Sequence, residues 1–135
     1  MGRDSAPNYG NDGYQSPFLD AAKQMVGISV EAERRRRGMS QTVLSSKAGI
    51  STAWLRQLEC GHPNVKLEAH FSCVEALGLT PMAVLLPTLF AAQRVPLPPQ
   101  LLQSNLTALG PILVETVISW HVGELRKFLT RDDLS

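Results

Sequence analysis

The tightest constraint on this chain is a twenty-residue stretch, Gln41 to Cys60, preceded by Ser40 and divided by Ser51. Serine is a strong helix N-cap, because its hydroxyl accepts a backbone N–H that the first helical turn leaves unpaired. Each serine opens a short run with apolar residues at helical spacing: Val43, Leu44 and Ala48 after the first, Leu55 and Leu58 after the second. Ala48-Gly49-Ile50 leaves room only for a tight turn, and Gly49 meets the positive φ of such a turn without steric cost. Gly61 and Pro63 stop the second run. Where the two helices cross, a small residue is required, and Ser45 is small enough.

The rest of the chain predicts an all-α fold. Residues 1–16, rich in Gly and Asn, read as a disordered N-terminal arm. Ser16-Pro17 supplies an N-cap and an N1 proline, and Phe18, Leu19, Ala22, Met25 and Val26 follow at helical spacing. Gly27 either separates this helix from the one over 28–37 or lies within a single helix; Gly38 ends it. A helix over 67–77 places Leu67, Phe71, Val74 and Leu77 on one stripe, and Thr80-Pro81 opens another through Ala92. No segment alternates with period two, so strands are not expected. Residues 17–94 then form one domain, and Val95-Pro96-Leu97-Pro98-Pro99 reads as a stiff linker at its boundary.

Residues 100–135 read as two helices, near 99–109 and 111–130, divided by Gly110-Pro111. The last is so apolar that the pair cannot bury its own surface, so it needs the N-terminal domain, a second copy or another protein. Ile112, Val117, Ile118, Trp120, Leu125 and Phe128 are the candidate dimerisation residues. No run of about 18 apolar residues occurs, so no membrane span is expected. The N-terminus lacks a secretion signal pattern, and two cysteines make no disulfide framework, which suits a reducing cytoplasm.

Thirteen Lys+Arg against twelve Asp+Glu give a net charge of +1, which on its face argues against a polyanionic partner. The distribution says otherwise. Residues 34–66 hold seven basic groups and one acid, Glu59, while both flanks are net acidic. A basic centre of this kind suits a polyanion, although a solvated helix face has the same composition.

Two helices joined by a short Gly-containing turn describe a helix-turn-helix. Arg37-Gly38-Met39-Ser40-Gln41 and Ala48-Gly49-Ile50-Ser51 resemble the phrase "RGLSQ…AGVS" of the phage-repressor and Cro-like (XRE-type) family. Trp54 through Gly61 is similar to that family's "YLSRIERG", and Leu67 through Thr80 to its "LETLLKIAKALGVS"; the spacings match without insertion over about residues 28–88. The resemblance implies a five-helix repressor-like domain, here with a C-terminal helical dimerisation extension, whose third helix enters the DNA major groove. It implies a bacterial or phage-encoded, cytoplasmic protein associated with the nucleoid. On this reading Thr52, Ala53, Arg56 and Gln57 are the base-reading candidates; Arg56 suits guanine, Gln57 adenine and Ala53 a thymine methyl. Gln41, Ser51, Arg35, Arg36, Lys47, Asn64 and Lys66 are the candidate phosphate contacts. Arg34 and Glu59 match positions that commonly form an internal ion pair in the family, and the Trp54 ring is expected to pack inward on the second helix rather than lie against the sugar-phosphate backbone. Glu33, Lys66 and His70 depart from the family pattern, where Leu, a Ser or Thr cap and an apolar residue are usual.

The expected function is a sequence-specific regulator binding double-stranded DNA as a homodimer at a near-palindromic operator. Repression is favoured over activation because no separate activation segment is visible. The alternatives are an antitoxin-like autoregulator whose C-terminal helices capture a partner protein, and an interaction adaptor without DNA binding. Cys60, His62, His70 and Cys73 form a C-x-H…H-x₂-C set, but their placement favours a structural role over zinc. No phosphate loop or nucleophile motif occurs, and Lys127 is the only lysine after Lys66, so no enzyme, metal or cofactor is expected.

Overall fold

The computed structural model describes residues 16–134, with side chains through residue 131. The expected arm at 1–16 lies outside the described residues, Ser16 excepted. Six α-helices and no strand are found among the described residues: α1 (Pro17–Arg36), α2 (Gln41–Ala48), α3 (Thr52–Glu59), α4 (Leu67–Ala76), α5 (Met82–Ala92) and α6 (Leu109–Leu134).

α1 is one continuous helix of 20 residues, so Gly27 does not divide it. Its role is to let two backbones approach. A Cβ built on Gly27 would lie 2.2 Å from the carbonyl oxygen of Leu58, at the end of α3. Helix propensity alone would disfavour glycine here; the contact with α3 requires it. Pro17 occupies the first helical position as expected, but the Ser16 hydroxyl makes no capping bond.

Ser40 and Ser51 do cap. Their hydroxyls accept from the N–H of Val43 and Trp54 at 3.1 Å in both cases. Gly49 closes α2 in the left-handed region at φ 72°. The Ser45 hydroxyl lies 3.1 Å from that of Thr52, so the small residue expected where α2 meets α3 is also a polar tie between them. Lys66 occupies the N-cap of α4 without a side-chain bond.

The core gathers Val26 and Val30 of α1, Leu44 of α2, Leu55 and Leu58 of α3, Cys73 and Val74 of α4 with Leu77 beyond it, and Ala83, Val84 and Leu86 of α5. On α4 the buried stripe is turned from the one expected: His70, Cys73, Val74 and Leu77 are buried, while Leu67 and Phe71 are only half-buried. A fully buried histidine was not part of the expected stripe, because its polarity disguises its position.

The proline-rich stretch is not a spacer between separate bodies. Leu97 in the irregular stretch joins the same core, as do Leu102 and Leu106, carried by two short 3-10 helices, Pro99–Gln103 and Leu106–Ala108, in place of the α-helix expected near 99–109. Prolines at 98 and 99 remove backbone donors, which favours short turns over a regular helix. The division at Gly110-Pro111 becomes the first turn of α6, where a missing proline N–H leaves no gap.

α6 is in contact with this assembly only at its beginning. Leu109 and Leu113 pack against the core, and from Val114 onward the large apolar side chains are exposed. An 18-residue window within Leu106–Arg131 has a mean hydropathy of 1.3 and is 6% buried. By length and composition alone the helical stretch Leu106–Arg131, most of it α6, is therefore long and apolar enough to cross a bilayer, in contrast to the expectation from consecutive apolar residues. Thr, Gly, Pro, Ser, His and one carboxylate, Glu115, interrupt the apolar run without making the segment strongly polar.

Candidate nucleic-acid interface

The eight residues of α3 divide sharply between two sides. Leu55, Leu58 and Glu59 are buried, whereas Ala53, Trp54, Arg56 and Gln57 are exposed. Residues three and four apart share a helix face, so Ala53, Arg56 and Gln57 form one outward row. Thr52 is half-buried, with its hydroxyl held against Ser45, and contributes less to that row than expected.

The row is held in place by a buried polar cluster. Arg34 of α1 donates to Glu59 through Nε at 2.7 Å and Nη2 at 3.0 Å, and its Nη1 donates to the Met39 carbonyl at 2.9 Å. The Arg34 and Glu59 side chains are 9% and 2% exposed, so this fork is shielded from water. The hydrogen bonds to Glu59 raise the guanidinium pKa further above its ordinary value. A two-pronged Arg–carboxylate pair fixes orientation as well as distance. It ties α1 to the C-terminal end of α3, adjoining the close approach at Gly27.

Gln41 belongs to this cluster too. Its side-chain amide donates to Glu59 Oε1 at 2.9 Å. The amide expected to grip a phosphate is thus engaged internally, while the backbone start of α2 stays at the surface. Ser51 is likewise engaged as a cap, but remains exposed.

The remaining phosphate candidates split into two sets. Arg35 pairs with Glu31 at 2.9 Å, and Arg36 and Arg37 both pair with Glu33. Hydrogen bonding from Arg36 above all, with Arg37, holds the Glu33 carboxyl down to about 2 against the opposing effect of burial. Arg36 also lines a groove with Ile28, Ala32 and Leu102, on a different side of α1 from Arg34. Arg35 and Arg36 are therefore partly neutralised, and Arg36 faces away from α3. The structure does not bring it to the row on α3. Lys47, Arg56 and Lys66 are exposed and make no ion pair with a described residue.

Asn64 and Lys66 are brought together with Trp54 around a recess of about 320 Å³ between the α2–α3 turn and α4. Trp54 as a residue is 45% exposed and lines this recess with Ala48 and Ile50, so the expected inward packing is only half realised. The missed participant here is Lys23. It is buried, and its ammonium donates to the Pro63 carbonyl at 2.8 Å, anchoring the loop that carries Asn64. Nothing in the sequence marks Lys23, since its partner is a backbone atom forty positions away.

Cys60 is exposed and Cys73 buried, with burial pushing the Cys73 thiol up to about 11. Among the described residues no three His, Cys, Asp or Glu side chains are grouped to hold a metal. His70 is fully buried; its Nδ1 lies 2.9 Å from the Lys66 carbonyl and its Nε2 has no partner.

All six dimerisation candidates on α6 are exposed. At about 100° per residue, Val117, Ile118, Leu125 and Phe128 fall on one side of the helix. Ile112 and Trp120 lie off that side. Comparison with known protein families, with characterised proteins and with solved structures finds no match to this chain.

Proposed function

We propose that this chain is a sequence-specific DNA-binding regulator of the XRE-type helix-turn-helix kind, acting as a homodimer, with α3 as its recognition helix. One observation carries the reading: the exposed row Ala53, Arg56 and Gln57 on a short helix whose opposite side is locked by Leu55, Leu58 and the Arg34–Glu59 fork. Such a row suits the major groove, where a guanidinium can pair with guanine, a side-chain amide with adenine, and a methyl with thymine. Lys47 and Lys66, free of ion pairs with described residues, supply charge for phosphates, and the N–H groups at the start of α2 add neutral donors.

One helix of this length reads few bases, so a second copy is required for tight binding. The exposed side of α6 supports a homodimer at a near-palindromic operator, with half-sites about 34 Å apart or a multiple of that spacing. Repression follows most simply, by occlusion of the promoter. Selection of bound sequences from a random duplex pool tests the reading. Palindromic sites should emerge, and Arg56→Ala and Gln57→Ala should each relax preference at one symmetric pair of positions, by about 1–3 kcal/mol per base pair read. Recovery of no preferred sequence would overturn it.

A further inference from the structure

The exposed side of α6 carries more than apolarity. Val114, Ile118, His121, Leu125 and Phe128 recur at alternating steps of four and three, the spacing of a seam between paired helices. Taking Ile118 and Leu125 as a positions, the d positions are Val114, His121 and Phe128. The flanks are then Val117, Glu124 and Arg131 at g, and Glu115, Val122 and Leu129 at e. Thr116, Gly123 and Thr130 fall at f, opposite the seam. Every large apolar residue of the seam and flanks is exposed, and Glu124 is held 3.9 Å from Lys127 on its own helix.

We propose that α6 pairs with α6 of a second copy in parallel and in register, so that His121 meets the partner's His121. This rests on the reading of α6 as the dimerisation element and adds its direction and register. Two features of the seam select the arrangement. First, a polar side chain placed in an apolar seam must find a hydrogen-bond partner. In the parallel pair each d position faces its own copy, so one imidazole N–H donates to the ring nitrogen of the other. In the antiparallel registers that use most of the helix, His121 faces Ile118 or Leu125 and is left unpaired.

Second, the flanks agree. In a parallel pair a g residue meets the e residue five positions on in the partner, which places Val117 against Val122. The mismatch that remains is Glu124 against Leu129, once on each side of the pair. In one antiparallel register Val117 meets Glu124 and Val122 meets Glu115; in the other, Glu124 meets its own copy. Parallel pairing thus leaves the fewest carboxylates facing apolar groups or each other. It also brings both copies of α3 to the same end of the paired helices.

The full chain carrying Cys60→Ser tests this through single cysteines on α6. The remaining Cys73 is buried in the core and does not compete. Under mild oxidation, Val114→Cys and Phe128→Cys should each convert nearly completely to a disulfide-linked dimer, while Thr116→Cys should stay unlinked. Linkage of Val114→Cys only when mixed with Leu125→Cys would show antiparallel pairing and overturn the proposal. So would a chain that sediments as a monomer at micromolar concentration. A linked Val114→Cys dimer that shows no affinity for any duplex would leave the parallel pair standing and contradict the DNA-binding reading alone.

Discussion

Gly27 and the Arg34–Glu59 fork act on the same joint, the meeting of α1 with the end of α3. Substituting Gly27→Ala forces a methyl onto the Leu58 carbonyl, and a backbone atom cannot swing aside as a side chain would. The variant should lose about 1–3 kcal/mol of stability, read as a lower urea midpoint with unchanged slope. Glu59→Ala should cost more, about 3–5 kcal/mol, because it strands a buried guanidinium and the Gln41 amide together. Replacing Arg34 and Glu59 together by apolar residues of similar volume should recover much of that stability and lose DNA binding, since the pair's role is orientation.

His70 gives a prediction with a definite sign. Burial lowers its pKa below the ordinary 6.5, chiefly by desolvating the charged form, with Lys23 adding repulsion. The unfolded chain therefore takes up a proton that the folded chain resists. Stability is complete above the unfolded value and declines as pH falls below it toward the folded value. Urea midpoints should drop between pH 7 and pH 5 by more than in His70→Leu, which removes the titrating ring. The Lys66 carbonyl it leaves still accepts the Ala69 N–H at 3.0 Å. An equal drop in both proteins would assign the acid sensitivity elsewhere.

At the scale of elements, the readable parts were those governed by local rules. Ser40, Ser51 and Gly49 announce their helices because capping and positive φ are decided within four residues. Leu44, Leu55 and Leu58 announce the core because their spacing is regular. What stayed hidden depends on distant partners: Gly27 reads as a break until Leu58 lies against it, and Lys23 reads as a solvated charge until Pro63 accepts from it. Arg36 reads as a phosphate contact from the resemblance, which says nothing of its neighbours on α1, whereas the helix turns it toward Glu33 and Leu102. The same limitation misplaced the domain boundary. Prolines at 96, 98 and 99 look like a spacer, yet Leu97, Leu102 and Leu106 complete the core beyond them.

This changes how α6 must be removed. A chain ending at residue 95 loses three core leucines and should be strongly destabilised. A chain ending at Leu109 keeps them, loses only the partly buried Leu113 from the folded body, and should unfold at a urea concentration slightly below that of the full chain, measured with both dilute. Leu106→Ala within the full chain should cost about 2–3 kcal/mol. If it costs nothing measurable, residues 97–108 do not belong to the folded body.

For the whole molecule, the net charge of +1 conceals the distribution of charge twice over. Along the chain it conceals a basic centre between acidic flanks. Within the fold, that centre is itself reduced by the pairing of Arg34 to Arg37 with Glu59, Glu31 and Glu33. What remains of it is a small set of cations, Lys47, Arg56 and Lys66, on a body that presents one outward row, Ala53, Arg56 and Gln57, here proposed to read bases. Binding by so few cations should be weak per copy and depend on pairing through α6. The most direct measurement is affinity for a selected palindromic duplex across a range of salt concentrations, for the full chain and for the chain ending at Leu109. The full chain should lose affinity linearly on logarithmic axes, with a slope of about −0.9 for each phosphate contacted, and the shortened chain should bind far more weakly with about half that slope. Affinity that is absent at low salt in both chains, or identical in the two, would contradict a paired DNA-reading regulator.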